Sequence, residues 1–262
     1  MTMNRRSTLL AGLTLMAALP QAQARIAQLG EAIDKAGAQR MLSQRMGKAW
    51  LGQLQPELAP RARQVLEDSA ERFERQLNDL LAFSPSPEIT GSYKALRSRF
   101  GDYRSLLLAA PVRGQVDELL KRSSEVLSLA HLATTQLQER SSAAAARLVN
   151  LSGRQRMLSQ RLALYFLARQ QGARADLVKR ETTKAGAEFE LAMRTLNTAD
   201  EATPAIRANL ELAQGQWVFL QNALGNDSQS AQAASDVFLA SENLLVVMET
   251  VTGQFARQLS QT

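Results

Sequence analysis

Apolar residues recur along this chain at helical spacing. Val65, Leu66, Phe73, Leu77, Leu80 and Leu81 fall on one face of a helix. No stretch shows the period of two that a half-buried strand requires. Glycine and proline are sparse and grouped. Pro56 and Pro60, then Pro85, Pro87 and Gly91, then Pro111 and Gly114 divide the first half. These breaks predict helices over about 26–54, 61–83, 88–110 and 115–139. Gly172, the stretch 198–204 and Gly225-Asn226-Asp227 divide the second half, predicting helices over about 141–171, 174–197, 204–224 and 229–259. The expected fold class is all-α: two tandem four-helix-bundle units of up-down-up-down order.

The halves are copies of one another. Gln-Arg-Met-Leu-Ser-Gln-Arg occurs at 39–45 and again at 155–161. At the same offset Ile33 matches Val149, Gly37 matches Gly153, Leu51 matches Leu167, Phe73 matches Phe189 and Leu80 matches Leu196. Further on, small gaps enter. Gly101-Asp102-Tyr103 aligns with Gly215-Gln216-Trp217, and Ser124-Glu125 with Ser241-Glu242. The first unit is expected to span 25–140 and the second 141–262. Ser141 or Ser142 is a candidate cap for the second unit's first helix. No glycine or proline lies between Gln115 and Ser152, so an unbroken helix through the join is equally allowed. A break lets the units lie side by side; a continuous helix stacks them into a rod.

The first 24 residues read as a signal peptide. Arg5 and Arg6 precede an apolar run at 9–19, and Ala22-Gln23-Ala24 is a small-residue cleavage site. Asn4-Arg5-Arg6-Ser7-Thr8-Leu9-Leu10 also fits a twin-arginine signal. The run is shorter than the roughly 20 residues that cross a bilayer. The best later candidate, 237–251, is broken by Glu242 and Glu249. The mature chain is therefore expected in the periplasm. Cysteine is absent and His131 is the single histidine. Neither thiolate nor histidine-based metal sites nor a catalytic triad is expected, and there is no glycine-rich phosphate loop. No catalytic residue, metal or cofactor is assigned, and the chain is not expected to be an enzyme. The formal net charge of +6 is concentrated. Lys35, Arg40, Arg45 and Lys48 lie in the acid-free stretch 35–56; Arg140, Arg147, Arg154, Arg156, Arg161, Arg169 and Arg174 lie in the acid-free stretch 140–175. The rest of the chain is net acidic. An exported protein is not expected to meet nucleic acid, whereas a segregated positive field attracts small anions.

Ile33, Gly37, Arg40, Gln44, Gly47 and Leu51 share one helical face, as do Val149, Gly153, Arg156, Gln160, Ala163 and Leu167. Each face is an apolar stripe with small residues around one arginine. A mid-helix glycine costs about 1 kcal/mol relative to alanine, which close helix–helix contact would offset. An arginine in such a contact must be neutralised. Either a small oxyanion suited to the planar guanidinium does so, or an acid from another helix of the same bundle does. Arg45 and Arg161 lie elsewhere around the helix and suit ion pairs within each bundle. Met41, Leu42, Met46, Met157, Leu158 and Leu162 suit the core, and Trp50, Phe166 and Trp217 suit the core or an interface. Ser43 and Ser159 can reach backbone carbonyls.

The run Ala36-Gly37-Ala38-Gln39-Arg40-Met41-Leu42-Ser43-Gln44-Arg45-Met46 resembles the motif of the PilJ/NarX-type periplasmic sensory domain, and the second copy repeats it. That family fronts type IV pilus chemotaxis transducers and nitrate/nitrite sensor kinases. The two units together cover essentially the whole mature chain. The resemblance implies a four-helix bundle whose first helix carries the motif. It implies that the arginine three residues after the glycine binds nitrate across a two-fold axis. By position that arginine is Arg40 in one unit and Arg156 in the other, with Gly37 and Gly153 at the glycine position. Gln44, Gln160, Arg45 and Arg161 are supporting candidates. The chain departs from the pattern at Asp34, where asparagine is usual and Asn150 retains it, and at Ser152, where Ala36 keeps the alanine.

The expected function is thus an exported sensor or binding protein for a small oxyanion, nitrate or nitrite first. It would carry no transmitter region of its own and pass its state to a protein partner at the inner membrane. Two geometries satisfy the motif: Arg40 facing Arg156 within one chain, or a homodimer pairing like with like. The alternative function is a helical envelope protein of a pilus or chemosensory assembly, binding another protein and no small molecule.

Overall fold

The computed structural model describes residue 26, residues 28–226 and residues 229–261. The export-signal reading of 1–24 lies outside the described residues. The described residues form eight α-helices and no strand: α1 Leu29–Gly52, α2 Ala59–Phe83, α3 Pro87–Leu108, α4 Val116–Gln138, α5 Ala144–Gln170, α6 Ala175–Asn197, α7 Pro204–Leu224 and α8 Ala231–Leu259. A single 3-10 turn, Arg113–Gln115, leads into α4. Among these residues no helix is long and apolar enough to cross a membrane.

Local chemistry explains where the outer helices begin. Ser86 and Thr203 each accept a hydrogen bond from the backbone N–H three residues on, at Ile89 and Ile206. Pro87 and Pro204 follow at the first helical position, where no backbone donor is needed. Ser230 caps α8 through Ala233 in the same way. Replacing Ser86 with alanine is expected to cost about 1 kcal/mol. Urea unfolding measures this directly, and an unchanged midpoint would show that the cap contributes nothing.

The join is broken, and the units lie side by side. The chain leaves helical geometry after α4 and re-enters at α5, whose cap residue Ala143 has extended backbone angles and no side-chain bond. Neither Ser141 nor Ser142 caps the helix directly. Ser141 Oγ instead accepts from the Ala143 N–H, stabilising the turn one step earlier.

Helices α1 and α5 pack against each other at the centre of the molecule. They run parallel: Gly37 lies opposite Gly153, Gly47 opposite Leu164, and Gln55 bonds Gln170. Each also packs on the last helix of both units, α4 and α8. Helices α2 and α3 flank one side of this inner group and α6 and α7 the other. From Ala36 to Gly52 every α1 residue except Arg45 is buried. A helix buried all round belongs at the centre, yet α1 buries Gln39, Arg40, Ser43, Gln44 and Lys48 among its apolar residues. The seam is therefore apolar packing interrupted by polar layers.

The duplication is visible in the packing, with a corrected register in its later helices. Phe73 stacks on Phe100 at 4.0 Å between ring centroids, and Phe189 stacks on Trp217 at 4.2 Å. The structural counterpart of Trp217 is thus Phe100, not Tyr103, consistent with the matching starts at Ser86-Pro87 and Thr203-Pro204. Likewise Gln44 bonds the Ser123 carbonyl as Gln160 bonds that of Ser241, so Ser123, not Ser124, matches Ser241. The glycines that suggested the other register, Gly101 and Gly215, meet nothing within 4 Å and constrain nothing.

Candidate functional site

Helices α1 and α5 approach closely at Gly37 and Gly153. A Cβ built on Gly37 would lie 3.8 Å from the Gly153 Cα, and 3.3 Å from a terminal nitrogen of both Arg40 and Arg156. The reciprocal position on Gly153 meets the same two guanidiniums at 3.5 and 3.2 Å. Side chains on a helix lean toward its N-terminus, so each arginine folds back over the glycine one turn earlier. The missing side chains leave the space both guanidiniums occupy. Both residues are buried, at 1% and 2% exposure.

Their partners obey an approximate two-fold relation. Arg40 donates to the Asn150 carbonyl at 3.2 Å, and Arg156 to the Asp34 carbonyl at 3.1 Å. Asp34 and Asn150 are equivalent positions in the two copies. The relation breaks at their side chains. The Asp34 carboxylate lies 2.7 Å from Arg156, close enough to pair but without hydrogen-bond geometry. Asn150 turns instead to Gln138. Arg40 meets no carboxylate among the described residues and instead contacts His131 Nδ1 at 3.4 Å. A guanidinium only donates, so Nδ1 is the accepting nitrogen and the ring proton sits on Nε2. Burial, with Arg40 and Arg154 nearby, lowers the His131 pKa and keeps the ring neutral.

The acid reading from the sequence is therefore corrected. Neither arginine pairs with an acid of its own bundle. Arg156 takes Asp34 from across the seam, and Arg40 has none. Burial, then the charges of Arg154 and Arg156, lower the Arg40 pKa to about 9, which leaves it charged at neutral pH. The Nε atoms of both arginines are buried without a hydrogen-bond partner. Two inward-facing cations with spare donors and one carboxylate between them form an electropositive centre suited to a small anion.

The supporting candidates lie further along the helices, in a second polar layer. Gln44 donates to the Ser123 hydroxyl at 2.9 Å and accepts from Arg161 at 2.8 Å. Arg161 also pairs with Glu181 of its own unit at 2.8 Å, and Gln160 donates to the Ser241 carbonyl. Ser43 and Ser159 bond the carbonyls of Arg40 and Arg156, tying this layer to the arginine pair. Tyr103 donates to the Ser43 carbonyl.

Arg45 pairs across the seam, not within its bundle. It binds Glu242 on α8, with Nε at 3.0 Å, and reaches Ser69. Lys48, one turn on, is fully buried and donates to the same Glu242 at 2.7 Å and to Ser241 at 2.9 Å, with its ammonium over the Phe238 ring. Burial opposes the charge on Glu242, but Lys48 and Arg45 outweigh it and hold the carboxyl down to about 2. Burial lowers Lys48 to about 8, with Glu242 opposing the shift. Arg72 and Glu249 make a further cross-seam pair at 2.7 Å. Sequence reasoning missed Lys48 and Glu242. Their one signal was two basic residues at i,i+3 on the first unit's motif helix and an acid, Glu242, interrupting the apolar stretch 237–248 of α8.

The chain matches the family described as type IV pili methyl-accepting chemotaxis transducer N-term (PilJ) over residues 14–129, and again over 137–240. It belongs to the PilJ family. Neither a curated protein nor a solved structure matches it. As two PilJ segments, the chain is a sensory domain of the chemotaxis-transducer type, a class that suggests work with a protein partner or as a dimer. Each PilJ segment contains one glycine–arginine pair, and the fold brings the two pairs together.

Proposed function

We propose that this PilJ chain is a non-catalytic periplasmic sensor that takes one small oxyanion, nitrate or nitrite first, between Arg40 and Arg156. It passes its state to a protein partner at the inner membrane. One observation carries the reading: two buried guanidiniums converge on a glycine–glycine contact with Nε donors unspent, and one lacks any carboxylate. Leaving a buried donor unsatisfied costs about 1–3 kcal/mol, more when it is charged. A planar oxyanion accepts from both forks and removes that cost. The resemblance to nitrate-sensing relatives, in which paired arginines bind nitrate across a two-fold axis, supports the choice of ion. Here the pairing is intrachain, so the ligand calls for one chain and not a homodimer.

Titration calorimetry at fixed ionic strength tests this. Nitrate or nitrite should bind wild type at one ion per chain. Arg40→Ala and Arg156→Ala should each weaken binding at least about tenfold, or about 1.4 kcal/mol. Absence of both heat and thermal stabilisation at millimolar anion would sink the proposal.

A further inference from the structure

We infer that Asp34 is a built-in counter-ion that sets the affinity of the arginine site and restricts it to monovalent oxyanions. This rests on the reading of Arg40 and Arg156 as an oxyanion site. The chain supplies its own internal comparison. At one of two equivalent positions stands Asp34, whose carboxylate lies 2.7 Å from Arg156. At the other stands Asn150, whose side chain bonds Gln138 and leaves Arg40 without a counter-ion. Both backbone carbonyls make the same bond to the opposing arginine, so the two positions differ in their side chains, one a carboxylate at its arginine and one a neutral amide turned away.

The charges fix what the site accepts. Arg40 and Arg156 bring two positive charges and Asp34 one negative. His131 is neutral, and Arg154 is already paired with Glu188 at 2.7 Å. One positive charge remains uncompensated. A monovalent oxyanion neutralises the buried centre. A divalent one leaves an excess negative charge out of water, which is costly. Asp34 also joins the site to solvent. It is partly exposed and lines a surface cleft of about 470 Å³ with Gln28, Glu31, Gly253 and Arg257. Asn150 lines its own cleft on the other unit, of about 630 Å³. An ion arriving through the Asp34 cleft meets the carboxylate before the guanidiniums. The carboxylate both competes with the ion for Arg156 and repels a second charge.

Calorimetry with sodium nitrate and sodium sulfate on wild type, Asp34→Asn and the mirror variant Asn150→Asp distinguishes the outcomes. Asp34→Asn should bind nitrate about tenfold more tightly and gain more for sulfate, so that the nitrate-to-sulfate preference shrinks. Asn150→Asp places a second carboxylate beside Arg40 and should lose at least tenfold in nitrate affinity, which tests the same idea without disturbing Asp34. If wild type binds nitrate and neither variant changes the affinity or the preference, the inference is overturned and the oxyanion reading stands. If no form gives heat with either salt, the oxyanion reading fails and this inference falls with it.

Discussion

Glu242→Gln is expected to be the most damaging single polar substitution in the molecule, costing about 3–5 kcal/mol. Its carboxylate is the shared counter-ion of Arg45 and the fully buried Lys48. Removing one partner of a buried pair leaves the other charge uncompensated, and losses of this size follow. For a domain of this length the melting temperature should fall by roughly 6–20 °C. Acid provides a second readout. In an unfolded chain this carboxyl titrates near 4.5; in the fold it is held at about 2. The stabilisation is present in full above pH 4.5 and is lost as pH falls toward 2. A depression of that size corresponds to about 3 kcal/mol. Melts of wild type and Glu242→Gln should therefore converge between pH 4.5 and 2. A constant difference across that window would show that the pair is not what holds α8 to α1.

The opposite sign is expected for Arg40→Met. In anion-free buffer the variant should be more stable than wild type by about 1–4 kcal/mol, because replacing a poorly compensated buried charge by an apolar side chain of similar length is often stabilising. Nitrate should then narrow the gap, and reverse the order where the variant's advantage is below about 2.7 kcal/mol. It stabilises wild type by about 2.7 kcal/mol at a hundred times its dissociation constant and leaves the variant unmoved. Arg156→Met should gain less, since Asp34 would lose its partner. Thermal melts with and without nitrate test all three statements. An Arg40→Met protein that melts lower than wild type in both buffers would mean that Arg40 is a structural residue.

The helices were legible because their punctuation is local. Ser86-Pro87 and Thr203-Pro204 announce α3 and α7 through residues that bond within one turn. The join was not legible, since an alanine-rich stretch without glycine or proline tolerates either geometry. The break is paired with the parallel packing of α5 on α1, a contact between positions more than a hundred residues apart. The face carrying Gly37 and Arg40 could be drawn from helical periodicity alone, and Gly153 with Arg156 from the repeat. What opposes them could not. His131, Asn150 and Asp34 reach the arginines from distant parts of the chain. Glu242 reaches Lys48 across 194 positions. Periodicity reports which side of a helix is covered, not what covers it. The Ser124/Ser241 alignment failed for a related reason: a match of two adjacent letters outweighed the carbonyl bonds that fix the true register.

The parallel α1–α5 pair on one chain has a consequence for dose response. When two half-sites arrive on separate molecules, the fraction of complete sites falls on dilution, and sensitivity drifts with expression level. Here the two halves of the proposed anion site are synthesised together, so on that proposal the threshold for ligand is independent of how many copies the cell holds. The covalent link also frees the halves to diverge. In a symmetric pair a carboxylate at the Asp34 position would appear twice or not at all. In this chain it appears once, a lopsided charge state that no homodimer could encode.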